Sequence, residues 1–377
     1  MLPPKLTALM SAGAVATMAV AATVPAQAQS ERTGRHQRGA ALTTVTSDLT
    51  GPRGVDAVTK RRILVAQADG TFSKVIRRLD APAKVVDLGK VPDTGLAPAI
   101  AQGLHGTVWI LTGAGGEPGG PVVPGSSTLY KWRPGWAAPK AWVDIAAYQK
   151  THPDPFNLAD DPGESNPFGV AALPDGSVLV SDAANNDLLR VKRNRHVQEV
   201  AKLKPRTVAT PSGLGPDAPP AGTMVPTEAV ATSVTVGRDG FWYVGELRGF
   251  PGTPGTSQIW RIKPFTTHNV CDPVHPRRGH CKRYKDGLTS IVDLAAGARG
   301  IYAVELSKMS WLALEADPPI PGADIGALLY IHRVGGRKVV TELAKDQLHA
   351  PGGVDVVRGN KFVTGPIFGP GNLYRIH

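Results

Sequence analysis

The segment NPFGVAALPDGSVLVSDAANNDLLRV, from Asn166 to Val191, decides how this chain folds. It reads as a short strand, a Pro174-Asp175-Gly176 turn, a second strand, a small polar loop and a third strand. Alternating apolar residues broken by Gly-bearing turns mark antiparallel β-structure. The end of its second strand, Leu179-Val180-Ser181-Asp182, has counterparts along the chain. They are Leu64-Val65-Ala66-Gln67, Trp109-Ile110-Leu111-Thr112, Tyr243-Val244-Gly245-Glu246, Tyr302-Ala303-Val304-Glu305 and Phe362-Val363-Thr364-Gly365. The period is roughly 45 to 70 residues, and each copy is a meander too small to bury its own faces. Such a repeat predicts an all-β chain, a six-bladed β-propeller of antiparallel four-stranded blades around one axis.

The copy after Asn166 continues into a fourth strand, His196 to Leu203, whereas the last copy stops at Leu373 to Ile376 because the chain ends at His377. A β-branched stretch, Ala41 to Ser47, is spare at the other end. An open ring would expose unpaired strand edges, so the N-terminal strand is expected to close the last blade.

The first 28 residues stand apart. Lys5 precedes an apolar run from Leu6 to Thr23, and Ala26-Gln27-Ala28 has the small-x-small form of a cleavage site. This predicts a signal peptide over 1–28, a disordered leader over 29–40 and the propeller over 41–377. The expected protein is secreted, extracellular and monomeric, with no transmembrane segment in the mature chain.

The chain carries a formal charge of +11. Basic residues cluster at Lys60-Arg61-Arg62, at Lys192-Arg193-Asn194-Arg195 and from Arg277 to Lys285. No aromatic residues alternate with them along the sequence as a base-stacking surface would need, which argues against nucleic acid. An exported basic protein meets anionic wall polymers and lipid head groups instead. Solvated surface charge is the plainer reading of the same clusters.

Cys271 and Cys281 are the only cysteines, and outside the cell an even count favours a disulfide. The bridge is expected to pin a loop lying outside the repeating strands. His275 and His280 lie between them, but oxidation removes the thiolates that zinc requires, and the spacing fits no common zinc finger.

Equivalent strand ends in a propeller form a ring, which places the carboxylates of Asp182, Glu246 and Glu305 on three successive blades. Hard oxygen ligands from separate loops suit Ca²⁺, so these residues are candidate metal ligands. The alternative is that each carboxylate caps its own turn. Asp56, Asp293 and Asp355 fall on innermost strands, where a water-filled channel tolerates polar residues.

No Gly-x-Ser-x-Gly elbow occurs, and neither cysteine has a catalytic setting. Three long insertions, Gly113 to Ser127, Gly249 to Ser257 and Ser307 to Gly326, share one topological position and should rise from one face.

The chain resembles the ScyD/ScyE family of exported NHL-like propellers. The resemblance rests on NPFGVAALPDG with NNDLLRV, on VATSVTVGRDGFWYVGELRGFPGTPGTSQIWRI, and on PGGVDVVRGNKFVTGP with NLYRI. It covers the chain from about Leu42 onward, departs in the turns of blades one, five and six, and implies the fold without a defined chemistry. The expected function is a non-enzymatic binding scaffold for an extracellular protein. A Ca²⁺-dependent lactonase or hydrolase and a binder of anionic cell-wall polymer are the alternatives.

Overall fold

A computed structural model describes residues 41–116, 121–159 and 161–377. The proposed signal peptide and leader lie outside the described residues. Six four-stranded antiparallel blades form a closed ring. Their innermost strands are Val55–Thr59, Ala99–Gln102, Pro167–Ala172, Ala231–Val236, Ile291–Ala296 and Gly353–Val357.

The expected closure is present. The strand Leu42–Thr50 pairs antiparallel with Pro370–Ile376, from Leu42 opposite Ile376 to Thr50 opposite Pro370. The sixth blade is therefore built from both ends of the chain. Its outer strand satisfies an edge that would otherwise offer unpaired N–H and C=O groups to another chain.

Six apolar clusters account for the core, and each is centred on a seam between neighbouring blades. Alternation along each strand sends side chains to both faces of its blade, and the next blade covers each face. Phe362 and Val65 meet at the seam between blades six and one, where both are fully buried. Gly169 lies at a close approach between blades three and four. A Cβ there would lie 2.9 Å from Ser233 Cα and 2.5 Å from Ser181 Oγ.

Blade three carries a fifth strand that the repeat did not foretell. Asn269–Cys271, from the connection between the last two strands of blade four, pairs parallel with Val197–Leu203. Cys271 is disulfide-bonded to Cys281, the first residue of blade four's outer strand Cys281–Leu288. Both cysteines are buried in the cluster between these blades. The bridge is as expected, but its place is not: it ties paired strands of two blades together. An insertion that adds a strand to a neighbour's edge leaves no periodic signal of its own.

Candidate functional site

Strand direction sorts the connections onto two faces. Connections between second and third strands, and those between blades, lie at one end of the ring. Turns joining first to second and third to fourth strands lie at the other. The three long insertions fall between Val108–Leu111 and Thr128–Trp132, between Trp242–Glu246 and Ser257–Ile262, and between Gly300–Glu305 and Ala327–Val334. All therefore rise from the first, loop-rich face.

The candidate metal ligands Asp182, Glu246 and Glu305 close second strands on that face, and each is engaged locally. Asp182 accepts from Ser165 Oγ at 2.6 Å and from the Asn166 amide at 2.7 Å. Glu246 is fully buried, ion-paired with Arg248, and accepts from the Trp260 indole N–H. Glu305 accepts from the Thr289 amide at 2.7 Å. Among the described residues, no group of three or more His, Cys, Asp or Glu side chains is placed to hold a metal ion. The donor set also fits Ca²⁺ poorly, because the Arg248 guanidinium already occupies the carboxylate that a cation would need.

Sequence reasoning missed the partners. Arg248 has no signal beyond its spacing of two from Glu246, and Trp260 reads as an ordinary strand aromatic. Asp182 belongs to a wider buried network: Gln149 Nε2 contacts Asp187 at 3.0 Å, and Lys202 Nζ pairs with Asp187 at 3.1 Å. Burial is the largest cause raising Asp182, Glu246 and Glu305, and it takes Glu305 to about 7.

The axial channel, about 370 Å³, is lined by the innermost strands. Its aspartates do more than tolerate water. Asp293 of blade five accepts from the Val354 amide of blade six at 2.7 Å. Asp355 of blade six accepts from Ala57 of blade one at 2.6 Å, and Asp56 of blade one from Gln102 of blade two at 2.7 Å. Three consecutive seams are thus latched by one device, which corrects the reading of these groups as channel polarity alone. Burial, with the facing Asp355 charge, lifts Asp56 to about 8; burial lifts Asp293 to about 7 and also raises Asp355. Arg53 donates to the backbone oxygens of Ala97 at 2.7 Å and Phe168 at 2.8 Å, and stacks 3.9 Å from the Phe168 ring.

On the loop-rich face a cleft of about 650 Å³ opens between blades four and five. Leu214, Phe250, Pro251, Met309, Leu312 and Ile320 supply most of its apolar wall. The helix Trp311–Leu314 forms its floor edge, capped by Ser310, whose hydroxyl accepts from the Leu312 amide. Trp311 anchors that helix by donating its indole N–H to the Arg248 carbonyl at 2.8 Å. Met309 and Ile320 remain 43% and 39% exposed, so the wall is open to solvent.

These features define a six-bladed β-propeller with one loop-rich face. No family model and no curated protein matches the sequence. Among solved structures, the PQQ-bound aldose sugar dehydrogenase of Streptomyces coelicolor is similar over 90% of this chain and 98% of its own, at 10% identity and a TM-score of 0.52. A gluconolactonase of Xanthomonas campestris is similar over 89% of both chains, at 11% identity and a TM-score of 0.50. A Trichoderma reesei carbohydrate-active enzyme of family AA12 is similar over 90% and 96%, at 9% identity and a TM-score of 0.51. At such identities the likeness establishes the fold alone.

Proposed function

We propose that this protein is an exported, ScyD/ScyE-like binding propeller that holds the apolar part of an extracellular ligand in the cleft between blades four and five. The observation that carries the reading is the cleft itself. About 650 Å³ lies within the range of small-molecule sites, and such sites are mostly apolar with a few polar groups at the edge. Ser212, Asp217 and Glu315 supply those polar groups. The walls come from two insertions of adjacent blades and the segment before blade four, so a rigid ring positions loops that are free to vary. The Cys271–Cys281 disulfide is compatible with an extracellular setting.

The rival reading, a Ca²⁺-dependent lactonase, draws on the gluconolactonase likeness. It is weakened by Asp182, Glu246 and Glu305, which are engaged by hydrogen bonds and an ion pair rather than open to a shared cation.

The test uses Nile red, a neutral apolar probe whose emission rises on leaving water. Wild-type protein is expected to bind it, and Ala316→Trp, which fills the cleft, to lose most of that signal at unchanged melting temperature. Equal emission from both proteins would reject the cleft as the binding site.

A further inference from the structure

The face opposite the long insertions carries a second recess. The turn after Ala231–Val236, the turn after Ile291–Ala296 and the start of strand Cys281–Leu288 meet the turn between Ala327–Val334 and Arg337–Leu343. Two adjoining hollows of about 390 Å³ each share Asp239, Tyr243, Tyr284 and Arg333 as walls. Arg238 and Arg299 line one hollow; Arg261, Lys282, Arg283 and Lys338 line the other. Seven cations therefore face one carboxylate.

The charge is largely uncompensated. Asp239 is committed to Arg261 at 3.0 Å and accepts from the Tyr243 hydroxyl at 2.8 Å. Arg283 pairs with Asp286 at 3.1 Å. Among the described residues, Arg238, Lys282, Arg299, Arg333 and Lys338 have no carboxylate partner within salt-bridge distance. Like charges gathered without counter-charge repel unless an anion joins them. Lys338 donates to the Tyr284 carbonyl, and desolvation first, then the charges of Arg333, Lys285 and Arg261, lowers it to about 8.

Tyrosine rings shape the walls. Tyr243 and Tyr284 meet edge to face with centroids 5.0 Å apart, and Lys338 Nζ lies 3.8 Å from the Tyr284 centroid. Tyr243 is buried and Tyr284 half-buried, so the rings brace the wall, while the guanidinium forks match the paired oxygens of phosphate or carboxylate. Arg238, Lys282, Arg299, Arg333 and Lys338 are exposed around this recess, so a chain or small anion reaches them.

We propose that the recess between blades four and five on the turn face is a binding site for an oxyanion-bearing polyol or sugar, carrying phosphate or carboxylate groups. The three basic clusters of the sequence support it by position. Lys60-Arg61-Arg62 sits at a first-to-second strand turn, and Lys192 to Arg195 and Arg277 to Lys285 lie at third-to-fourth connections, so all three belong to this same face. A long anionic chain anchored in the recess would pass over them. The site is independent of the apolar cleft on the opposite face.

The test measures binding of glycerol phosphate oligomers, oligoglucuronate and phosphatidylglycerol vesicles to the full mature chain by calorimetry. At least one soluble oligomer should bind, more weakly as salt is added. The double variant Arg333→Glu with Lys338→Glu should lose affinity by about tenfold or more, since each charge-assisted contact is worth about a factor of ten. Lys60→Glu with Arg61→Glu carries the same charge change elsewhere on the face and should lose less than about threefold. Should the first variant unfold, Lys338→Gln, with melting temperature as the check, replaces it and should still weaken binding. Preference for the phosphate or the carboxylate oligomer identifies the source of the oxyanion. Equal losses in both double variants, no binding of either oligomer, or binding confined to vesicles would overturn the proposal.

Discussion

The carboxylate of Asp355 accepts the backbone N–H of Ala57 at 2.6 Å, so the last blade of the ring is hydrogen-bonded to the first through a side chain in the axial channel. Asp56, next to Ala57, passes the same contact on to Gln102 in blade two. The ring is therefore closed twice, at its rim by the strand Leu42–Thr50 and at its axis by these aspartates.

The channel aspartates set a pH dependence. Burial and the facing Asp355 charge lift Asp56 to about 8, far above the unfolded value near 4. Between those values the native state holds more protons than the unfolded chain, so the contribution is full below about 4 and is lost as pH rises through about 8. Asp56→Asn keeps the acceptor for Gln102 and removes the charge. Thermal melts should show a higher melting temperature for this variant at pH 8.5 and a much smaller difference from wild type at pH 5. An equal difference at both values would mean that Asp56 does not titrate in this window.

Removing residues 41–50 should strip the outer strand from blade six. The edge of Pro370–Ile376 would then be unpaired, and Leu49 would leave the seam that it shares with Phe362. A lower melting temperature and concentration-dependent association are expected in light scattering. An unchanged melting temperature would show that the axial contacts close the ring unaided.

Phe362 is fully buried between blades six and one, beside Val65 and Ile63. Phe362→Ala should cost about 3–5 kcal/mol in denaturant unfolding, because the two blades that frame the cavity are held by their ladders and cannot collapse into it.

Because Cys271 lies in a strand rather than a loop, reduction should affect a blade edge. Cys271→Ser is expected to cost about 3 kcal/mol. Hydrogen exchange should rise both in Asn269–Cys271 and in its neighbour Val197–Leu203, which loses its outer partner. Faster exchange confined to residues 272–280 would instead describe a simple loop clip.

Glu246→Gln should destabilise the protein by about 3–5 kcal/mol with or without Ca²⁺, since it leaves Arg248 buried and unpaired. A calcium titration of wild-type melting should be flat. A rise in melting temperature with Ca²⁺ that Glu246→Gln abolishes would restore the metal reading.

The repeat alone settled the architecture. Leu179-Val180-Ser181-Asp182 and its five counterparts specify a strand end per blade, and apolar alternation before each requires a neighbour on both faces. The incomplete last copy and the spare stretch at Ala41 to Ser47 also specified the closure, because unpaired edges are costly wherever they fall. Pairing of Cys271 with Cys281 needed only their count and the expected compartment.

The rest depended on tertiary structure, for one physical reason: these contacts join residues with no fixed spacing. Asp355 and Ala57 are nearly 300 positions apart; Asp56 and Asp355 match in the repeat, but Asp293 stands off that position beside a bulge, and no alignment shows which neighbouring amide each accepts. Asp182, Glu246 and Glu305 occupy matching positions as read, yet Ser165, Arg248 and Thr289 decide their chemistry. Basic and aromatic residues do not alternate along the chain. Folding nevertheless sets Arg261 over Phe241 across neighbouring strands of blade four, and Lys338 of blade five over Tyr284 of blade four, where no sequence window spans them.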